Sequence, residues 1–224
     1  DATCNGSNGS VLANGNGGTG TIQYSIDGGT SFQPSGTFNG LAAGNYNIIG
    51  EDANGCQGSV TASVSNALAP DIASVQSTNI SCFSGTDGTI IVNATGGTGT
   101  LEFSNDNGIT FQTSNVFTNL SAGTYNIVVR DANGCISTSG VSLIQPDELV
   151  FIADPVLETC ENSNGSISIS ASGGTGGITY SINNGTTFQT AAIFSGLNAG
   201  NYSVVVEDAN GCTAASLVIV PEAP

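Results

Sequence analysis

One stretch of sequence occurs three times in this chain, and its repetition limits the possible folds more than any other feature. Each occurrence begins Leu-x-x-Gly-x-Tyr, continues through alternating apolar residues and closes with Asp-Ala-Asn-Gly-Cys, ending at Cys56, Cys135 and Cys212. A further cysteine precedes each occurrence, at intervals of 78 residues: Cys4, Cys82 and Cys160. This regular spacing predicts three tandem copies of one domain.

Short proline-containing segments mark the boundaries between the copies, because proline lacks the N–H group that a sheet ladder requires. They predict domains at residues 1–69, 70–145 and 146–224. Gly, Asn, Ser and Thr are abundant whereas helix-forming residues are sparse, which favours short strands joined by turns.

Within a copy, apolar residues alternate with polar ones, as in a strand with one buried face. In the third copy, Ile167 and Ile169 alternate with serines, and Asn183-Asn184-Gly185 predicts a hairpin turn. Each copy holds about seven such strands, the number of an immunoglobulin-like sandwich. The predicted fold class is therefore all-β, with three tandem immunoglobulin-like β-sandwich domains.

The tyrosine of the repeated stretch stands after a glycine turn, at the start of the penultimate strand of each copy. This is the position of a tyrosine corner, in which the hydroxyl group bonds to backbone a few residues upstream. The three predicted corner residues are Tyr46, Tyr125 and Tyr202. The alternative is that these residues are ordinary half-buried aromatic side chains.

Copy one differs from the others at its beginning. Copies two and three have a strand-like segment before their first cysteine, whereas only Asp1-Ala2-Thr3 precedes Cys4. We therefore expect copy one to lack its first strand. Either the segment belongs to a longer array, or a neighbouring molecule supplies a strand to the open edge.

The six cysteines form three equivalent pairs, which predicts a disulfide inside each copy: Cys4–Cys56, Cys82–Cys135 and Cys160–Cys212. A metal site is the alternative, but two thiols per copy without histidine make a poor zinc site. Each bridge would close about 50 residues and stabilise its domain by about 4 kcal/mol. Disulfides also predict an extracellular or cell-surface location.

The charge is strongly unbalanced, since Arg130 is the only basic residue against 17 acids and the formal net charge is −16. Nucleic-acid binding requires a basic face, so this partner is excluded. Binding to anionic lipid through basic residues is excluded for the same reason. No apolar run approaches the roughly 20 residues that cross a bilayer, which argues against membrane insertion.

The sequence suggests no catalytic or cofactor-binding residue, and we predict that the protein is not an enzyme. Histidine is absent, which removes the usual base of a serine or cysteine nucleophile. Gly15–Gly20 matches the G-x-G-x-x-G pattern, but the residues that follow read as a strand rather than the required helix. A pair of acids acting on glycosides would have to be unique to one copy.

Calcium is the one cofactor for which residues can be named, although no cofactor is the leading expectation. The Asp-Ala-Asn-Gly loops offer carboxylate and amide oxygens, the ligands that calcium prefers. The candidates are Asp52, Asn54, Asp131, Asn133, Asp208 and Asn210. The structural alternative is a hairpin loop in which Asp starts the turn and Gly adopts positive φ.

In combination, Gly-Gly-Thr-Gly, Tyr-Ser-Ile-Asp-Gly-Gly, Leu-x-x-Gly-x-Tyr and Asp-Ala-Asn-Gly-Cys resemble the SprB-type repeats of large bacterial surface adhesins. The resemblance covers essentially all three copies. It implies a secreted, filamentous bacterial protein used in adhesion or motility, and it assigns no binding residue.

Two functional hypotheses follow. The first is a structural segment of an extracellular filament that self-associates, with head-to-tail assembly by strand complementation. The second is an adhesive module on a monomeric surface stalk that binds glycans or a partner protein.

Overall fold

A computed structural model describes residues 1–159 and 163–222, and all regular secondary structure in these ranges is β-strand. The prediction of an all-β fold is confirmed. Within these ranges, no helix has the length and hydropathy needed to cross a membrane.

The segment predicted as copy one holds seven strands, two of them very short: β1 (Ala2–Thr3), β2 (Gly9–Leu12), β3 (Gln23–Ser25), β4 (Thr37–Leu41), β5 (Gly44–Glu51), β6 (Gln57–Val64) and β7 (Asn66–Ala67). They form a two-stranded sheet β2-β4, a three-stranded sheet β3-β5-β6, and a short parallel pair β1-β7.

Copies two and three each hold six strands. Those of copy two are β8 (Pro70–Thr78), β9 (Gly88–Gly96), β10 (Glu102–Ser104), β11 (Val116–Leu120), β12 (Gly123–Arg130) and β13 (Ile136–Leu143). Those of copy three are β14 (Val150–Val156), β15 (Gly165–Ser172), β16 (Thr179–Ser181), β17 (Ile193–Leu197), β18 (Gly200–Glu207) and β19 (Thr213–Val220). Gln189, which lies between β16 and β17, forms an isolated bridge with Tyr180 of β16.

The sheets of copies two and three have the same strand order. One sheet runs β8-β9-β11 in copy two and β14-β15-β17 in copy three, and the other runs β10-β12-β13 and β16-β18-β19. Copy one lacks the equivalent of β8 and β14, so β2 pairs on one side only, with β4. Its sheet therefore has an open edge.

The chain divides into two compact units. The first comprises Asp1–Val75, Ile91–Asn115 and Tyr125–Val141, and the second comprises Gln76–Ile90, Val116–Thr124 and Ser142–Pro224. The residues of copy two are thus shared between the units. The domain boundaries at 69/70 and 145/146 stay a prediction.

The second unit contains a core built on the alternation that the sequence shows. Ile167 and Ile169 of β15 are 0% and 3% exposed, and Val204 and Val206 of β18 are fully buried. Phe151 and Ala153 of β14 pack against this cluster. The first strand of copy three therefore supplies part of the apolar surface that stabilises its sandwich.

The turn after β10 is organised by Asp106. The hydroxyls of Ser104 and Thr110 donate to its two carboxylate oxygens, each at 2.6 Å. Asn107 and Gly108 both have positive φ, at 63° and 82°, as a tight hairpin turn of this kind requires. The hydroxyl groups of Ser104 and Thr110 are the main causes that lower the pKa of Asp106 from 3.8 to about 2.

Copy three builds the same turn without a charge. Asn183 takes the place of Asp106, accepting a hydrogen bond from the hydroxyl of Ser181 at 2.8 Å. Its amide group donates to Thr187 Oγ1 at 2.9 Å. The turn therefore needs a side-chain oxygen at this position, and the carboxylate charge is an additional feature.

We predict that Asp106→Asn preserves the turn and removes one source of acid sensitivity. Because the pKa of Asp106 is about 2 in the folded chain against an ordinary 3.8, the ionised carboxylate stabilises the fold above about pH 4. That contribution is lost as the pH falls from 4 towards 2. Urea unfolding at pH 5 and pH 2 should show a smaller pH difference for the variant than for the parent chain. An Asp106 carboxyl group that titrates near 3.8 by NMR would contradict the prediction.

Candidate functional site

The repeated tyrosines anchor the turn that precedes the penultimate strand. The Tyr46 hydroxyl donates to the carbonyl oxygen of Ala42, and the Tyr202 hydroxyl donates to that of Asn198, each at 2.9 Å. Tyr125 lies at the equivalent place on β12 and is half-buried. Tyr46 and Tyr202 thus make the contact that defines a tyrosine corner.

The aspartate of each Asp-Ala-Asn-Gly-Cys loop joins two turns. In copy three, Oδ1 of Asp208 accepts the backbone N–H groups of Asn210 and Cys212, both at 2.9 Å. Oδ2 accepts the backbone N–H of Thr175 at 2.7 Å. The carboxylate thereby fixes the cysteine loop against the Gly-Gly-Thr-Gly turn of the same copy.

The same three contacts recur in the other two copies. Oδ1 of Asp131 accepts from the residues two and four positions later, and Oδ2 accepts from Thr98. Asp52 repeats this pattern with Thr19 as the third donor. The near-identity of the loop across the copies therefore has a structural cause.

These hydrogen bonds keep the loop carboxylates ionised. Burial raises the pKa of Asp208, but the backbone N–H groups of Cys212 and Thr175 outweigh it and hold the pKa below 3.8. The pKa of Asp131 is lowered by the same balance, with burial again opposing the N–H donors. At Asp52 the bond from Thr19 is the main cause of the lowered pKa. Each aspartate thus acts as a charged acceptor for backbone amides.

The residue before the threonine of each Gly-Gly-Thr-Gly turn has to be glycine, because the aspartate carboxylate lies close to its backbone. Gly174 has a φ of 65°, and a Cβ atom there would lie 2.8 Å from Oδ2 of Asp208. No other residue type fits this turn without displacing the carboxylate.

The six calcium candidates are turn residues in the structure. Both oxygens of each aspartate accept backbone N–H groups, and the side-chain amide of Asn210 donates to the carbonyl of Ser81 at 3.0 Å. Asn54 and Asn133 are engaged through their backbone N–H groups. In residues 1–159 and 163–222, no three His, Cys, Asp or Glu side chains lie together as a metal site would require.

The predicted pairing of the cysteines inside each copy is wrong. Cys4 is bonded to Cys135, with a Cα–Cα distance of 5.2 Å, and Cys82 is bonded to Cys212, with a Cα–Cα distance of 5.6 Å. Each bridge joins the first cysteine of one copy to the second cysteine of the next. Cys56 is a free, exposed thiol. Cys160 lies outside the described residues, and its expected partner Cys212 is already bonded.

The two cysteines of copy one lie at opposite ends of its sandwich. The segment before Cys4 runs beside the Val64 end of β6, where the backbone N–H of Ala2 donates to the carbonyl of Ser65. Cys56 lies in the turn that joins Glu51 to Gln57 at the other end. Eight-residue strands separate these ends by about 23 Å. A disulfide requires Cα atoms within about 7 Å, so these cysteines cannot pair.

Further contacts tie the loop around Cys82 to the segment that leaves copy two. The backbone N–H of Ile80 donates to the carbonyl of Ile144 at 3.0 Å, and the N–H of Ile144 donates to Oδ1 of Asn79 at 3.1 Å. Oε1 of Gln145 accepts the N–H of Ser84 at 3.0 Å. The first-cysteine loop is thus held by its own copy on one side and by the Asp208 loop on the other.

The loop around Cys4 is held in a similar way. The backbone N–H of Cys4 donates to the carbonyl of Ala67 at 3.3 Å. Asn5 and Asn66 exchange two hydrogen bonds, of 3.0 Å and 2.6 Å. We call each first-cysteine loop, together with the Asp-Ala-Asn-Gly-Cys loop bonded to it, an inter-copy joint. Sequence spacing alone did not indicate these joints.

We predict that the Cys82–Cys212 bridge makes a large contribution to stability. It spans 130 residues, for which chain entropy gives about 5 kcal/mol. The double variant Cys82→Ser/Cys212→Ser should therefore lose about that much in its first urea transition. Cys56→Ser is the matched control, because this exposed thiol has no bond, and it should change the transition by less than about 0.5 kcal/mol. Disulfide mapping that recovers Cys82 bonded to Cys135 would contradict the assignment.

Two segments, residues 74–108 and 154–187, match the family model described as the SprB repeat. They start within the first strands of copies two and three and end in the hairpin turn after β10 or β16. A comparison with curated protein sequences gives no match.

Several solved structures resemble the chain in part. Extracellular domains 3–5 of Drosophila OTK are 13% identical, with 98% of this chain and 93% of that one covered and a TM-score of 0.31. The human desmocollin-1 ectodomain is 11% identical, with coverage of 90% and 51% and a TM-score of 0.34. A C-terminal intimin fragment, solved with the intimin-binding domain of its receptor Tir, is 14% identical, with coverage of 67% and 64% and a TM-score of 0.39. At TM-scores below 0.5, none of these likenesses carries a binding property over to this chain.

The family match falls on copies two and three, two of the three copies whose motifs resemble SprB repeats, and disulfides such as the two found here form in oxidising compartments. The chain therefore carries two segments similar to the SprB repeat in an all-β fold, and its disulfides point to an extracellular location.

Proposed function

We propose that this chain is a load-bearing segment of a cell-surface adhesin or filament. The observation that carries the proposal is the pairing of the cysteines across copies. A disulfide inside a copy would stabilise that copy and would leave the linkers between copies without a covalent cross-link. Bridges between copies cross-link the joints, which are the points where an array under tension would otherwise separate.

The two bridges also overlap in sequence. Cys82 lies inside the loop closed by Cys4–Cys135, and Cys135 lies inside the loop closed by Cys82–Cys212. Force applied at the two ends is therefore carried by covalent bonds that bypass most of the chain. This arrangement suits a protein that holds a surface or a neighbouring cell against shear.

The acidic composition supports the same role. With a formal net charge of −16, neighbouring molecules repel each other at low ionic strength, which keeps an exposed array soluble. Self-association then has to be directed by particular edges rather than by general surface attraction. The open edge of β2 is one such edge, and strand addition there is the finer form of the proposal.

Single-molecule stretching tests the load-bearing role. The shortest covalent path runs from Asp1 to Cys4, from Cys135 back to Cys82, and from Cys212 to Pro224, about 71 residues in all. We expect the fully unfolded, oxidised chain to extend to about 250 Å and the reduced chain to about 780 Å. Cys56→Ser should extend like the parent chain. Equal extension before and after reduction would overturn the proposal.

An adhesive surface on copy three is a second candidate function, because large apolar side chains are exposed on β14 and β19, edge strands of its two sheets that contact each other. Val150 on β14 is 48% exposed, and Leu217 on β19 is 63% exposed. Val150 and Leu217 line the same shallow groove. Exposed apolar patches mark protein–protein interaction sites.

The double variant Val150→Lys/Leu217→Lys tests this candidate. If the face is adhesive, the parent chain should bind arrayed extracellular proteins, and the variant should lose about tenfold or more in affinity. Thr190→Lys adds a charge at an exposed position outside the groove and should bind like the parent chain. Binding to arrayed glycans that both lysine variants retain would exclude this face as the adhesive surface.

A further inference from the structure

Copy one carries a groove beside its free cysteine. The groove has a volume of about 570 Å³ and lies between β2 with its following loop and β6. Tyr24 and Ile48 are among the residues that line it, and Cys56 stands at its rim together with Asp52. Cys56 is exposed and unbonded.

The equivalents of Cys56 in the other copies show what such a cysteine binds. Cys135 is bonded to Cys4, and Cys212 is bonded to Cys82. In both cases the partner is the first cysteine of the preceding copy. The cysteine equivalent to Cys56 is therefore disulfide-bonded in each of the two copies that follow another copy.

In copy three, a strand covers the place that corresponds to this groove. There, β14 pairs with β15 along seven residues, from Val150 opposite Ser172 to Val156 opposite Ser166. In copy one, the corresponding edge of β2 has no neighbouring strand. Val11 and Ala13 of copy one are consequently half-exposed, whereas their equivalents in β15 are fully buried.

The groove is also enlarged by small residues in its wall. Ala13, Gly50 and Ala62 of copy one stand where copy three has Ile169, Val206 and Val218. Each replacement removes apolar volume from the side that an added strand would face. The groove can therefore accept larger apolar side chains than those that β14 inserts in copy three.

We propose that Cys56 and this groove together receive a further SprB-type repeat on the amino-terminal side of copy one. The first cysteine of that repeat bonds to Sγ of Cys56. The strand that leaves the repeat pairs with the open edge of β2 and places large alternating apolar side chains over Tyr24 and Ile48. The Asp52 loop is already in the geometry that its equivalents have in the two bonded joints.

The covalent step is the oxidation of two thiols. Cys56 and the incoming cysteine lose two protons and two electrons, and a sulfur–sulfur bond forms between them. The electrons and protons pass to a protein disulfide or to oxidised glutathione, whose sulfur–sulfur bond breaks to give two thiols. The two bridges within this chain form by the same chemistry.

The inference rests on the proposed array function and deepens it by naming the partner of copy one. Stretching of the unextended chain reports on the two existing joints alone. A failure of the added joint would therefore be distinguishable from a failure of the load-bearing role.

An extended chain tests the inference. Residues 79–156 are duplicated and joined directly ahead of Asp1, which keeps the phase of the repeat, and Cys135→Ser within the duplicate removes its second cysteine. After refolding with oxidised and reduced glutathione, we expect complete loss of maleimide labelling at Cys56. Peptide mapping should recover Cys56 bonded to the Cys82 of the duplicate.

A matched control separates the bond from the strand. Cys82→Ser within the duplicate should restore labelling of Cys56, while the fluorescence of a hydrophobic dye bound to the groove stays below that of the unextended chain. Cys56 that remains as reactive in the extended chain as in the unextended one would overturn the inference. So would bridges between the Cys56 residues of two unextended chains, combined with an unbonded Cys56 in the extended chain.

Discussion

The disulfide between the first cysteine of one copy and the second cysteine of the next is the constraint on which this structure depends. It brings a first-cysteine loop against an Asp-Ala-Asn-Gly-Cys loop, with Cα atoms 5.2 Å and 5.6 Å apart in the two joints. Asp131 and Asp208 fix the conformation of the Asp-Ala-Asn-Gly-Cys loops, because their carboxylates accept hydrogen bonds from the backbone N–H groups of Cys135 and Cys212. The repeated motif is therefore the acceptor half of a joint between copies.

The joints also explain why copy one differs from the others. Its Asp52 loop is formed in the same way, yet Cys56 is unbonded and β2 has an open edge. Both features lie around the same groove, and both would be satisfied by one additional repeat. In copies two and three, the strand that enters a copy and the bridge that ties it to its predecessor occur together. That coincidence makes the joint, rather than the single sandwich, the structural unit of an array.

Much of the fold was predictable because it depends on local sequence. Alternation of apolar and polar residues placed Ile167 and Ile169 in the core, and Asn-Gly sequences marked turns that need positive φ. The role of Asp208 was only half predictable: its turn was expected, but its bond to Thr175 joins residues distant in sequence.

The sequence by itself determined the repeat, the all-β class, the SprB resemblance and the oxidising environment. The tertiary structure alone decided which cysteines pair. Sequence spacing is equally regular for partners inside a copy and for partners in adjacent copies, whose separations are 131 and 130 residues. A disulfide depends on distance in space, and the two cysteines of copy one lie at opposite ends of eight-residue strands that are about 23 Å long. Because of that separation, the disulfides join neighbouring copies and do not form within a copy.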